Sequence, residues 1–430
     1  YHTGIIRGIP GDTVLVYEVE VGNRADIREF VFVGALKGEI VEQFSGIHAG
    51  AGADREVSES SLANLVWDES NGDPDPITAG WAGGTVQQVT DWNNEIDGAR
   101  ETYNLIDNLA SYSSYDNAEA TMRTVNNAAI ACPNATWNGI STNYCSGVTG
   151  DDTVAHEWGH AYTEYTHNLV YAWQPGALNE SYSDIWGEVV DLINARGSDD
   201  PPGLLRTTGS CSSLGTGTPA NDNIYRWLSG EDDPAFGGAI RDMWNPVCYG
   251  DPGKVSDAEY HCLSTDGGGV HTNSGVPNHA FALLVDGGSY NGKTITGIGL
   301  DKAAYIYWRA QEIYQGRATD FADHATSIAQ SCTDLIDSPL AALSATDMAG
   351  GTIASITAAD CAELDKVILA VEFNNPPTQC GFAPTFVPAP ALCTGQGNGT
   401  VLPIATQDWE SDLGGWSVGT HDIANQSSFT

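Results

Sequence analysis

The run His156-Glu157-Trp158-Gly159-His160, followed by Gly176-Ala177-Leu178-Asn179-Glu180-Ser181-Tyr182-Ser183-Asp184, constrains this chain more than any other feature of it. On a helix, residues four apart share a face, so the imidazoles of His156 and His160 reach one point. Glu157 then stands beside that point without pointing at it. A second helix that delivers Glu180 completes a two-histidine, one-glutamate set, which holds zinc and leaves a fourth tetrahedral position to water. Whatever fold the chain adopts has to pack those two helices together. Water in that position becomes a nucleophile near neutral pH, and Glu157 is the expected acceptor of its proton. Asp184 lies one turn after Glu180 on the same face, where a carboxylate accepts the outer N–H of a ligating histidine and fixes its tautomer.

Further segments extend the pattern. Asn134-Ala135-Thr136-Trp137-Asn138-Gly139 reads as an extended edge, Tyr171 follows the histidine helix, and Arg241 precedes the Tyr249-Gly250-Asp251-Pro252 turn. Downstream comes Asp266-Gly267-Gly268-Gly269-Val270-His271-Thr272-Asn273-Ser274-Gly275. Its glycines are not a phosphate loop, since no lysine follows them. With these residues in this order, roughly positions 90 to 372 of the chain resemble the thermolysin family of secreted zinc endopeptidases, and in particular its disulfide-bearing, vibriolysin- and pseudolysin-like branch.

The resemblance implies a two-lobed α+β fold, with an N-terminal mixed β/α lobe, a helical C-terminal lobe and the active-site cleft between them. It implies cleavage of internal peptide bonds in proteins, with a preference for a bulky apolar residue just after the cut. Tyr171 and His271 would stabilise the charge that develops on the carbonyl oxygen, with Asp266 orienting His271. Asn134 and the Ala135 backbone would hold substrate as an added strand, and Arg241 would contact the substrate carbonyl. Asp152, Asp191 and Asp199 fall where the family places calcium-binding carboxylates, which suit a hard cation. The short segment between Gly139 and His156, and Pro201-Pro202-Gly203 in place of an acidic stretch, lead us to expect one calcium rather than a pair. His167 and His279 lie near the motifs and are read as packing residues.

The chain has 56 acidic and 17 basic residues and a net charge of −39, so it has no basic footprint for nucleic acid. Such a surface is well solvated and, with so few lysines, fits a salty, marine setting. No apolar run is long enough to span a membrane. The start at Tyr1, without a signal peptide, reads as a processed form of a secreted precursor. Nine cysteines fit an oxidising, extracellular compartment. Cys132 and Cys145 bracket the extended edge, Cys248 and Cys262 a Gly-Asp-Pro loop, Cys332 and Cys361 would tie two helices, and Cys380 with Cys393 would close a Pro-rich loop. That leaves Cys211 over, and spacing alone does not establish any of these pairs.

Period-two alternation over residues 13–21, 28–33 and 39–41 predicts a strand followed by a hairpin. This region, 1–45, resembles the end of the family's propeptide, which acts as folding aid and inhibitor; the other reading is a first sheet of the catalytic domain. Residues 46–170 form the expected N-terminal lobe, with turns at Asn71-Gly72-Asp73-Pro74, a helix over Asn93–Leu109, and Asp151-Asp152 capping the histidine helix. The helical lobe is expected over 171–373. Its Glu180 helix carries an apolar stripe through Ile185, Val189 and Leu192 and stops at Gly197; Asn278–Val285, Leu300–Tyr314, Phe321–Leu335 and Ala358–Phe373 follow. A Pro- and Gly-rich linker, 374–400, precedes 401–430, the start of a β-rich appended domain. Two other functions fit the zinc motif: a catalytically silent secreted binding protein, which retention of Glu157 disfavours, and a zinc aminopeptidase.

Overall fold

Strand-forming alternation at the start of the chain produces a small antiparallel sheet in the computed structural model, which describes residues 15–22, 28–45, 53–196, 205–206, 211 and 226–382. Its strands are β1 (Val16–Gly22), β2 (Arg28–Gly34) and β3 (Ile40–Ser45), in the order β1-β2-β3. Among the described residues they pair with one another and not with the sheet that follows.

That second sheet contains β4 (Arg55–Glu59), β5 (Leu65–Asp68), β6 (Met122–Asn126), β7 (Ala135–Trp137) and β8 (Thr142–Tyr144), in the order β5-β4-β6-β8-β7. The β4–β6 and β6–β8 pairs are parallel, whereas β7 runs antiparallel to β8 and forms one edge. After a single turn, α1 (Ala79–Ala82), the long helix α2 (Val86–Ala110) covers the sheet with Trp92, Ile96, Leu105 and Ile106. It begins seven residues ahead of the predicted Asn93. The first turn, Val86-Gln87-Gln88-Val89, leaves Val86 exposed, and Thr85 and Gln88, which cap each other's backbone N–H, secure the start.

The C-terminal half is helical: α3 (Asp151–Tyr165), α4 (Trp173–Asn194), α5 (Asp266–Asn273), α6 (Gly275–Asp286), α7 (Leu300–Arg309), α8 (Phe321–Asp334) and α9 (Ala358–Ala370). The fold is thus a two-lobed α+β arrangement. α4 ends short of Gly197, with Ala195 in the left-handed conformation. The predicted Leu300–Tyr314 helix widens into a π turn over Ala310–Tyr314, which aims the buried Gln311 inward to accept from Trp186 Nε1 at 2.9 Å. Among the described residues no helix is long and apolar enough to cross a membrane.

Two expected cysteine pairs are present, Cys132–Cys145 and Cys332–Cys361, the latter tying α8 to α9. The other two expected pairs are corrected: Cys211 joins Cys248, and Cys262 joins Cys380. These partners stand 37 and 118 residues apart in sequence but only 5.2 and 5.1 Å apart at Cα. Folded proximity, not loop length, selects a partner. Cys380 therefore anchors the start of the expected linker, while Cys393 lies outside the described residues. The chain divides into compact units at Tyr1–Gly381 and Phe382–Thr430; of the second unit, which holds the expected appended domain, only Phe382 is described.

The helices α3 and α4 approach unusually closely because glycine sits at both crossing contacts. A Cβ on Gly159 would stand 2.8 Å from Ser183 Cα, and one on Gly187 would stand 2.7 Å from the Asp152 carbonyl oxygen. Neither obstacle is a flexible side-chain tip. Gly159→Ala should therefore destabilise the protein by about 1–3 kcal/mol through overpacking. Gly80→Ala, with open space around its Cβ and an ordinary φ, should change stability by less than about 1 kcal/mol. Chemical denaturation of the two variants checks this; equal stabilities would refute the crossing argument.

The core also holds histidines in neutral form. Burial pushes His167 and His324 down to about 3 and His279 down to about 4. A base whose folded pKa is depressed binds fewer protons folded than unfolded, so stability falls as pH drops below about 6.5, the unfolded value, and the loss saturates near the folded values. At pH 5 each such histidine should cost up to about 2 kcal/mol relative to pH 7. Replacing His324 by Gln should flatten the pH 5 to pH 7 slope of denaturation stability, whatever it does to stability at pH 7.

Candidate metal centre

Gly150, whose N–H donates to Asp233 Oδ1 at 2.6 Å, is the N-cap of α3, and Asp151 and Asp152 form its first turn rather than preceding it. Asp152 still accepts from the Thr153 N–H in the first turn of the helix. One and two turns on, His156 and His160 project from the same face, with their Nε2 atoms 3.1 Å apart. Glu180, from α4, brings Oε2 to 3.6 Å from His156 Nε2 and Oε1 to 3.6 Å from His160 Nε2. Among the described residues this trio is the only group of three or more His, Cys, Asp or Glu side chains whose ligand atoms converge, all within 4.8 Å.

The outer nitrogens of both imidazoles are held. His156 Nδ1 donates to Asp184 Oδ1 at 2.9 Å, and His160 Nδ1 donates to Asn179 Oδ1 at 2.7 Å. Each Nε2 is thereby left as a lone pair aimed at the shared point. Glu180 Oε2 is buried and has no hydrogen-bond partner. Two converging imidazole lone pairs and an orphaned carboxylate oxygen fit a divalent metal such as zinc.

Asp184 is more than a partner for one histidine. Its Oδ1 also accepts from Arg241 Nη2 at 2.5 Å, and its Oδ2 accepts from Asn278 Nδ2 at 2.7 Å. Burial alone would raise this carboxyl, but Arg241 and then His156 outweigh it and hold it well below the usual range. Burial likewise opposes the charge on Glu180, and the neighbouring His160, His271 and His156 overcome it. Glu157 differs from both. Burial dominates there, its Oε2 has no partner, and its carboxyl is pushed up to about 7.

Across the mouth of the site stand Tyr171 and His271, with 3.1 Å between Tyr171 Oη and His271 Nε2. Tyr171 Oη also donates to Glu180 Oε1, which lies 3.4 Å from His271 Nε2. Burial and then the Glu180 charge raise the phenol well above its ordinary value, so it stays a donor. His271 is fixed by Asp266, whose Oδ1 accepts from Nδ1 at 2.6 Å and whose Oδ2 accepts from the His271 N–H at 3.1 Å. Burial lowers the basicity of that imidazole, but Glu180 and Asp266 reverse the effect and leave it raised. The glycine run makes this turn possible. Gly268 has φ +95°, and a Cβ there would lie 2.4 Å from the Trp173 ring.

A cleft of about 710 Å³ holds these groups, with Asn134, Ala135 and Trp137 along one wall and Arg241 at the other. Of the residues expected at a calcium site, Asp152 and Asp191 are buried, while Asp199 lies outside the described residues. His167 and His279 sit in the core. Sequence reasoning missed two positioning side chains, Asn179 and Asn278. Asn179 stood inside the quoted motif beside Glu180, where its helix position was a usable signal; Asn278, 94 residues from its partner Asp184, offered none.

Residues 167–350 match the family described as thermolysin metallopeptidase, alpha-helical domain. The chain is 36% identical over 248 residues to a zinc metalloproteinase of Renibacterium salmoninarum, a match covering 56% of this chain and 38% of that protein. It is 36% identical over 248 residues to a bacillolysin of Brevibacillus brevis (55% and 41% covered) and 34% identical over 247 residues to a thermolysin of Alicyclobacillus acidocaldarius (55% and 40%). The chain thus spans about two fifths of the length of these curated relatives. In fold it is similar to a solved precursor of protealysin, a metalloproteinase from Serratia proteamaculans, with a TM-score of 0.52, 20% identity, and coverage of 76% of this chain and 89% of that one. The zinc-type donor set, the matched helical domain and these relatives together make this part of the chain similar to the thermolysin metallopeptidases.

Proposed function

We propose that the protein is a secreted zinc endopeptidase that hydrolyses internal peptide bonds, with Glu157 as general base. The observation that carries this reading is the convergence of His156 Nε2, His160 Nε2 and Glu180 beside a buried carboxyl raised toward neutrality. His156, His160 and Glu180 would hold zinc, which when bound supplies Lewis-acid polarisation of the scissile carbonyl and acidifies water. Glu157 accepts the proton of the attacking water, and its pKa of about 7 matches that task at neutral pH. Tyr171 and the raised His271 donate to the carbonyl oxygen as it becomes negative, with Asp266 holding the imidazole in place. Arg241, bound to Asp184, lines the cleft within reach of a substrate carbonyl.

The edge strand β7 and Asn134 would take substrate as an added strand. At the N-terminal end of α3, Phe236 and Ile240 line the cleft with Thr153, which supports a preference for a bulky apolar residue after the cut. A calcium role for Asp152 is supported by its buried acidic company, which the buried Asp191 on α4 would join. Burial and mutual repulsion raise Asp152, Glu231 and Asp233, and Glu231 Oε2 has no hydrogen-bond partner, the situation a hard cation relieves. Residues 1–45 would act as the end of a propeptide, in keeping with their separate sheet. The four disulfides among the described residues support an extracellular setting.

Removal of zinc by a chelator should abolish cleavage of casein reversibly. Glu157→Gln should retain zinc while turnover falls by several orders of magnitude, on the order of 10³ or more. Glu180→Gln should instead lose metal affinity, and His271→Ala should keep zinc with kcat/KM about a hundredfold lower. Zinc stoichiometry measured beside kcat/KM separates the roles: near-parental activity in Glu157→Gln would refute the base. Asn179→Ala frees His160 Nδ1 and should weaken zinc binding about 10- to 100-fold in chelator competition; an unchanged affinity would show that Asn179 does not orient the ligand.

A further inference from the structure

Among the described residues two arginines line the cleft, and they differ in what already holds them. Arg241 is bound to Asp184 at 2.5 Å. Arg317 lines the same cleft and makes no ion pair among the described residues. Every other arginine whose side chain is described is held by a carboxylate. In a chain with 56 acidic residues and 17 basic ones, an unpaired guanidinium in a cleft is the exception.

Its backbone is nevertheless well placed. The Arg317 carbonyl accepts from the Val170 N–H at 2.9 Å, one residue before Tyr171, and Gly316 and Thr319 close a tight turn around it through Gly316 N–H to Thr319 Oγ1 at 2.9 Å and Thr319 N–H to the Gly316 carbonyl at 3.0 Å. The nearest carboxylates in sequence and along the wall are turned to other donors. Asp320 caps α8 by accepting from the Ala322 and Asp323 N–H groups, and Glu164 accepts from Trp137 Nε1 at 2.7 Å. With no carboxylate partner among the described residues, the guanidinium offers its fork of donors to a planar anion.

The position along the cleft decides which part of a substrate it meets. Phe236, Ile240 and Thr153 cluster at the N-terminal end of α3, whereas Glu164, Val170 and Arg317 lie toward its C-terminal end, with His156 and His160 between. His160 to Glu164 is four residues, about 6 Å along the helix axis. An extended substrate, rising about 3.3 Å per residue, covers that span in about two residues, so the contact falls two or three positions before the scissile bond. We infer that Arg317 is a specificity-determining residue that favours an aspartate or glutamate two or three positions before the scissile bond. The inference rests on the endopeptidase reading, and on the residue after the cut occupying the Phe236 and Ile240 end.

The test uses the zinc-loaded protein and peptides blocked at both ends, identical except for Glu, Gln or Lys at the second or third position before the cut. At low salt the Glu peptide should have a kcat/KM about three- to tenfold above that of its Gln counterpart, the range of a partly exposed charge-assisted contact. The advantage should shrink toward unity in about 0.5 M salt, where screening shortens the reach of the charge. In Arg317→Gln the Glu-to-Gln ratio should collapse to about one, and in Arg317→Glu it should invert in favour of Lys. Because each ratio is taken within one variant, partial misfolding does not alter it. Equal rates on Glu and Gln peptides for the parent protein, or an undiminished ratio in Arg317→Gln, would overturn the assignment while leaving the endopeptidase reading intact. Failure to cut any blocked peptide would overturn the endopeptidase reading, and this one with it.

Discussion

The close crossing of α3 and α4 at Gly159 and Gly187 is the contact on which the rest of the site depends. Zinc-type ligands from two helices can converge to within 4.8 Å only if the helix axes are near, and any side chain at those two positions would hold them apart. With Ser183 seated against Gly159, Glu180 arrives one turn away, opposite His160, and Asp184 arrives beside His156. Small residues at a crossing replace side-chain volume with backbone proximity. Here that proximity delivers a ligand and the partner of a ligand in one stroke.

Around that crossing, one buried region gives three carboxylates different protonation behaviour. Asp184 receives Arg241, His156 and Asn278, and stays ionised despite burial. Glu180 is surrounded by imidazoles and stays ionised as well. Glu157 has no dedicated donor on Oε2 and is left to the desolvation that raises it. On the proposed reading, groups pushed apart in this way separate the carboxyl that would hold metal, the one that would orient a ligand, and the one that would trade a proton. The same logic extends to the mouth, where burial and then Glu180 keep the Tyr171 phenol protonated, and Glu180 with Asp266 outweighs burial to raise His271.

Elements with strong periodicity or a chemical motif were legible before any coordinates. The apolar stripe of α4 buries Ile185, Trp186 and Val189 as its spacing implies, and α8 begins at the predicted Phe321. Boundaries fared less well where stability comes from elsewhere. α2 starts early because a reciprocal Thr85–Gln88 cap supports a turn whose Val86 is exposed, and α7 widens at Ala310 where Gln311 finds a buried partner in Trp186. Among the cysteines, two local pairs were legible, while Cys211–Cys248 and Cys262–Cys380 were not.

The sequence by itself determined the donor chemistry: histidines four apart with a glutamate between them, a second glutamate and an aspartate four apart, and an aspartate five residues ahead of His271. Those relations lie within a turn or two of one helix or loop, so local geometry dictates which side chains share a face. Only the tertiary structure decided that Asn278 anchors Asp184 across 94 residues, that Arg241 spends its charge on Asp184 across 57, and that Arg317 comes to line the cleft with no ion pair among the described residues. Such contacts join segments whose separation along the chain carries no periodic signal, and they exist only because packing the two lobes closes the space between them.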